Sequence, residues 1–181
     1  MIREVLRMGD PRLLREVAAG RRASTRRSCM SCCTTCATPW RTSNGAGLAA
    51  PQIGVGLRVV IFGVDSEPAL SGRRGSARHG AHQSRARRRS SDEMEEGWEG
   101  CLSVPGMRGW VPRWQQLRYS GLRRARASRF ERTVEGFHAR VVQHECDHLD
   151  GILYPMRIRD LTQVRLQRGA VSRRRSCLLE E

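Results

Sequence analysis

Lysine is absent from this 181-residue chain: all 33 of its Lys-or-Arg positions are arginine, against 18 Asp and Glu. A formal charge of +15 ordinarily suggests a nucleic-acid partner. An all-arginine chain instead suggests GC-rich coding, because lysine codons are A-rich, so the charge says less about partners than its size implies. Aromatics are also scarce, with three Phe, two Tyr and four Trp. Few of them lie among the arginines, no platform for stacked bases is visible, and no specific nucleic-acid partner is expected. No apolar run approaches the length of a membrane span, so no membrane is expected. The opening MIREVLRMGDPRLLRE lacks the apolar core of a secretory signal, which predicts a cytoplasmic protein with reduced thiols. Seven cysteines, an odd number, argue against a disulfide framework; a specially placed Cys is then a metal ligand or a nucleophile.

The length suits one domain with a real core. Residues 1–16 are orderly, with Val5, Leu6, Leu13 and Leu14 around a Gly-Asp-Pro turn. Residues 17–42 show no apolar period, although Cys29, Cys32, Cys33 and Cys36 form two C-x-x-C pairs. Zinc sites usually separate such pairs by a dozen or more residues, so this cluster reads poorly as one. Order returns at NGAGLAAPQIG and in Val59-Val60-Ile61-Phe62, which reads as a buried strand. It lapses over 68–91, resumes at DEMEEGWEGCLSVPG and holds through LYPMRIRDLT, apart from a doubtful patch near 121–130. The predicted organisation is a single catalytic domain over 1–162 and a disordered Arg-rich tail over 163–181.

The chemistry is concentrated in QHECDHLDG. His144 and His148 are four apart, with Glu145 beside the first. On a helix, two such imidazoles share a face and can grip one metal ion, and the intervening Glu can reach a metal-bound water. Phe137, Val141, His144 and His148 fall on one 3.6-residue stripe, which predicts a buried helix with the site inside the protein. A third ligand is needed, and Cys101, Cys146, His138, His79 and His82 are candidates. Cys146 and His138 lie off the histidine face. Cys101 is best placed, since it follows Gly100 and opens the apolar segment Leu102-Ser103-Val104. A thiolate with two imidazoles leaves a coordination position open, as catalysis requires.

Three blocks now stand in order: Gly45-Ala46-Gly47-Leu48-Ala49-Ala50-Pro51-Gln52, Glu99-Gly100-Cys101-Leu102-Ser103, and Gln143-His144-Glu145-Cys146-Asp147-His148. Together they resemble the peptide deformylase family, as do Gly9-Asp10-Pro11-Arg12-Leu13-Leu14 and Val111-Pro112-Arg113. The resemblance implies an α+β fold with antiparallel β-sheets around a central α-helix carrying HExxH. It implies a metal-dependent hydrolase that removes the N-formyl group from the starting Met of new polypeptides and releases formate. One divalent metal would be held by Cys101, His144 and His148, most commonly Fe(II), with Ni, Co or Zn able to substitute. Glu145 would be the general base, and Gln52 and the Leu102 N–H the oxyanion donors. Gly45, Gly47 and Gly100 would line the bound peptide, and Phe137 and Val141 would wall the Met pocket. N-formylmethionyl nascent peptides, met near the ribosome, are the implied partners. Asp147 either orients a ligand histidine or pairs with an arginine such as Arg113.

The chain departs from the family pattern over 17–42 and 68–91, where spacing is kept and residue character is lost. The Arg, Ser, Ala, Gly and Cys found there are what out-of-frame reading of GC-rich DNA produces. Compensating frameshifts are therefore expected in both stretches, with others near 121–130 and after 163. The competing readings are an HExxH zinc peptidase and an inactive relative that binds RNA or the ribosome through its arginines.

Overall fold

The computed structural model describes residues 3–14, 46–62, 79–88, 93–123 and 128–167. A short helix, α1 (Pro11–Leu14), precedes β1 (Gly47–Ala49) and a 3-10 turn over Ala50–Ile53. Then come β2 (Val59–Phe62), β3 (His79–Arg88), β4 (Met94–Cys101), β5 (Val104–Trp114), β6 (Gln116–Arg123) and β7 (Arg129–Glu135). Helix α2 (Gly136–Leu149) follows directly, and β8 (Val164–Leu166) closes the described chain. The pairing is antiparallel throughout, in a five-stranded sheet ordered β1-β2-β3-β6-β7 and a three-stranded sheet ordered β4-β5-β8. Helix α2 packs against strands of both sheets. This is the α+β arrangement around a central HExxH helix that the resemblance implies.

The passage from β7 to α2 has no linker. Glu135 is extended, and Gly136 turns the chain at φ +55, a conformation that side chains with a Cβ rarely adopt. Ala139, Val142, Cys146 and Leu149, at helical spacing, then face Ala49, Val60, Leu117 and Tyr119 of the larger sheet in one buried cluster. Each Val or Leu wholly buried there contributes about 1.5–3 kcal/mol. The end of the helix is held by Arg58, which donates to Leu149 O at 3.2 Å and to Asp150 at 2.7 Å. A cation suits the negative end of the helix dipole.

Three expectations change. Val59–Phe62 is a strand as predicted, but His79–Arg88, within the disorderly 68–91, is also a strand, paired with β2 and β6. Backbone hydrogen bonds need no particular side chain, so residue character there hid the strand. β8 pairs with Met107–Gly109 of β5, so ordered structure extends past the boundary placed at 162; residues 168–181 lie outside the described ones. The stripe on α2 is buried only from Val141 onward, and Phe137, in its first turn, is 62% exposed. Residues 17–42, including the Cys29–Cys36 cluster, lie outside the described residues. Among the described residues, no helix is long and apolar enough to cross a membrane.

Candidate active site

Cys101 sits where β4 turns into β5 through Leu102 and Ser103. The β4–β5 register shifts between Glu99 and Cys101, a bulge that re-aims the side chain. Glu99 is turned inward, Gly100 is exposed, and the Cys101 thiol faces α2. The ligand atoms of Cys101, His144 and His148 all lie within 4.8 Å of one another. Cys101 Sγ is 3.4 Å from His148 Nε2. His144 Nδ1 is taken by Glu99 Oε2 at 2.9 Å, which leaves its Nε2 for a metal. Tyr154 stacks on the His144 ring at 6.2 Å and 21°.

Burial pushes His144 down, but its hydrogen bonds to Cys101 and Glu99, with the charges of Cys101 and Glu145, outweigh it and hold the ring well above its usual range. An ion on Nε2 would take the place of that proton and face the same negative groups. Burial, then the charges of His144 and Arg113, push His148 well below its usual range, so it stays neutral, as a ligand must. One thiolate and two imidazoles are a donor set for a catalytic divalent ion, with a position left open.

Glu145 is buried beside this cluster, and its Oε2 has no hydrogen-bond partner. Burial raises its carboxyl to about 7, where a general base works best at neutral pH. A Cβ on Gly47 would run into this carboxylate, lying 2.6 Å from Glu145 Cδ and 2.7 Å from Cγ. Gly47 therefore makes room for Glu145 itself. Gln52 is 2% exposed, on the 3-10 turn. Its Oε1 accepts from Ala49 N at 2.8 Å, which aims Nε2 at Ser103 Oγ (3.1 Å) and Cys101 Sγ (3.4 Å). Leu102 follows the thiol in the turn and packs against Leu48 and its neighbours.

Of the expected substrate-lining residues, Val141 is buried, and Phe137 is exposed. A Cβ on Gly100 would meet only ordinary contacts, the nearest at 3.7 Å, so the chain's own packing does not demand glycine there. Gly45 lies outside the described residues. Cys146 belongs to the core behind α2, where burial pushes its thiol up to about 12, and His138 lies against Tyr119; neither joins the ligand cluster.

Behind these groups lies support of which only the Asp147–Arg113 pairing was expected from the sequence. Glu99, 5% exposed, accepts from Arg113 Nε and Nη2 at 2.8 and 2.9 Å as well as facing His144. Burial pushes its carboxyl up, but Arg113 and His144 outweigh that and hold it at about 2. Arg113 also donates to Asp147 at 2.6 Å, and Arg157 donates to the other Asp147 oxygen at 2.7 Å. Of the two roles expected for Asp147, the structure shows the arginine pairing. A carboxylate two residues before Cys101 and an arginine in Val111-Pro112-Arg113 were the available signals, but only the fold brings them together.

The sequence matches the polypeptide deformylase family over residues 2–164. It is 52% identical over 161 residues to peptide deformylase 1 of Nitrosomonas europaea, covering 89% of this chain and 90% of that one. It is 51% identical over 163 residues to peptide deformylase 1 of Bordetella pertussis, covering 90% and 91%. Its fold superposes on the crystal structure of a peptide deformylase from Legionella pneumophila with a TM-score of 0.75 and 31% identity, covering 90% of this chain and 89% of that one. A class I type b peptide deformylase from Acinetobacter baumannii gives a TM-score of 0.75 at 30% identity, covering 87% and 99%. The order of the site's residues along the chain, their meeting around one point and these likenesses agree: the chain belongs to the polypeptide deformylase family.

Proposed function

We propose that this chain hydrolyses the N-formyl group from the starting Met of newly made polypeptides, releasing formate. The observation that carries the reading is the convergence of Cys101, His144 and His148 within 4.8 Å beside a buried, unpartnered Glu145 oxygen. Cys101, His144 and His148 would hold a divalent metal, which would supply Lewis acidity when bound. Glu145 takes a proton from the attacking water and later gives it to the leaving amine nitrogen. The formyl oxygen gains charge as the carbon becomes tetrahedral. Gln52 Nε2 and the Leu102 N–H are the donors for it. Gly47 and Gly100 would lie along the peptide, and Val141 and Phe137 would wall the Met side chain.

The resident metal is Fe(II), with Ni, Co or Zn as working substitutes, because a thiolate–imidazole set accepts all of them. The protein works in the cytoplasm, near the ribosome, where formylated chains emerge. The catalytic unit is one domain starting at residue 1 and running past 162 to include β8. The odd composition of 17–42 and 68–91 is the mark of compensating frameshifts, which resequencing the gene would test; an unbroken frame in fresh DNA would remove a sequencing error as the cause. A cysteine ligand beside HExxH separates this site from the zinc-peptidase reading.

Protein purified without oxygen and given Fe(II) or Ni(II) is expected to release formate from a formyl-Met peptide and to leave an acetyl-Met peptide intact. RNA binding that falls steeply with salt, without any formate release, would favour the inactive RNA-binding relative instead.

A further inference from the structure

Arg140 stands outside the three sequence blocks, one helical turn before His144 on α2. Its guanidinium crosses to the smaller sheet. There Nη1 donates to Val111 O at 2.9 Å, Glu99 Oε1 at 3.1 Å and Gly97 O at 3.4 Å, and Nη2 donates to Glu95 O at 2.8 Å. Its side chain is only 12% exposed. The other Glu99 oxygen faces His144 Nδ1 at 2.9 Å. Glu99 therefore ties together two residues of α2 that are four apart, and does so from the strand that ends in Cys101. The guanidinium packs closely on Gly97: a Cβ there would stand 3.0 Å from Arg140 Cζ and Nη2, close enough that the guanidinium would have to give way.

We propose that Arg140 is a positioning residue of the metal site, acting through Glu99 on His144, and that Gly97 is the seat it requires. The inference rests on the reading of Cys101, His144 and His148 as ligands of one metal. Three ligands from two elements keep their spacing only if strand and helix are locked together. A His ligand also needs its outer nitrogen engaged, so that the ring cannot turn and the inner nitrogen stays free of a proton. Arg113 holds Glu99 from β5, along the sheet. Arg140 holds it from the helix that carries the histidine, so it fixes the separation that the metal senses.

The test uses the full chain loaded with Co(II), reading the visible absorption of the bound ion and the rate at which a chelator removes it. Arg140→Met is expected to speed Co(II) loss by about tenfold and to shift the absorption bands. Arg140→Lys, which can reach Glu99 but cannot span all four acceptors, is expected to recover part of the difference. Gly97→Ala, which displaces the guanidinium, is expected to move both readouts the same way by less. A Co(II) spectrum and loss rate unchanged in Arg140→Met, even with a lower melting temperature, would overturn the proposal. Should that variant fail to fold, unchanged Co(II) readouts in both Arg140→Lys and Gly97→Ala would overturn it equally. Failure of the unsubstituted protein to take up Co(II) would overturn the ligand reading, and this inference with it. Normal uptake without formate release would count against the proposed reaction alone.

Discussion

At the scale of single residues, the site depends on where polar atoms are aimed. Gln52 illustrates this: one end of its amide is fixed by Ala49 N, and only then does the other end point at Cys101 and Ser103. Gln52→Leu removes the donor and keeps the volume. It is expected to lower kcat by about 10²–10³ with KM much less affected, read from steady-state formate release. Gly47→Ala is expected to lower kcat strongly through displacement of Glu145, with one metal still bound per chain by elemental analysis. Restored activity in a Gly47→Ala protein would show that the carboxylate tolerates the shift.

Glu99 sets an acid limit on the fold. Its folded value of about 2 lies below its ordinary 4.5, so the unfolded chain binds the proton more readily. The stability it contributes is fully present above about pH 4.5 and is lost as pH falls toward about 2. The span corresponds to an amount on the order of 3 kcal/mol. Urea unfolding at stepped pH should show this slope, and Glu99→Gln should flatten it. Equal slopes in the two proteins would contradict the assignment.

The histidine pair and Glu145 were legible in the sequence because helical spacing alone places them. The pairing of Arg113 with Asp147 was one of two expected roles, but Glu99 and Arg140 were not legible. Their pairing runs between strands and across to the helix, and no local pattern carries it.

At the scale of elements, α2 does two jobs with two faces. Ala139, Val142, Cys146 and Leu149 bind it to the larger sheet, and His144 and His148 turn toward Cys101. Gln143 supports the junction by taking Trp114 N at 3.0 Å and giving to Trp114 O at 2.9 Å, pinning the helix to the end of β5. Leu149, 0% exposed, anchors the far end of the helix. Leu149→Ala should cost about 2–5 kcal/mol in chemical denaturation and loosen the metal with it. Periodicity predicted the helix but overstated its burial at Phe137. A repeat of 3.6 residues assigns a face and cannot tell where the sheet beneath that face ends. β3 shows the opposite failure, since a strand among arginines carries no apolar alternation to read.

At the scale of the whole molecule, two antiparallel sheets bring three distant stretches to one point. Gln52 comes from the turn after β1, Cys101 from the β4–β5 turn and His144, Glu145 and His148 from α2. The N-terminal segment braces two of them from behind, with Leu6 N donating to Gln52 O and Met8 N to Ser103 O, each at 2.7 Å. The resemblance made the fold class and this convergence legible. Composition misjudged the extent of ordered chain, because a three-residue edge strand such as β8 is too short to stand out from the Arg-rich sequence after it. Part of the net charge of +15 lies inside the molecule, where Arg113 and Arg140 hold Glu99 behind the site.

The most direct test of the account pairs formate release with metal content in the unsubstituted protein and in Glu145→Ala, both loaded with Ni(II). About one metal per chain is expected in both, with release of formate from a formyl-Met peptide only in the first. Release at similar rates by Glu145→Ala, or none from the folded, metal-loaded unsubstituted protein, would contradict it.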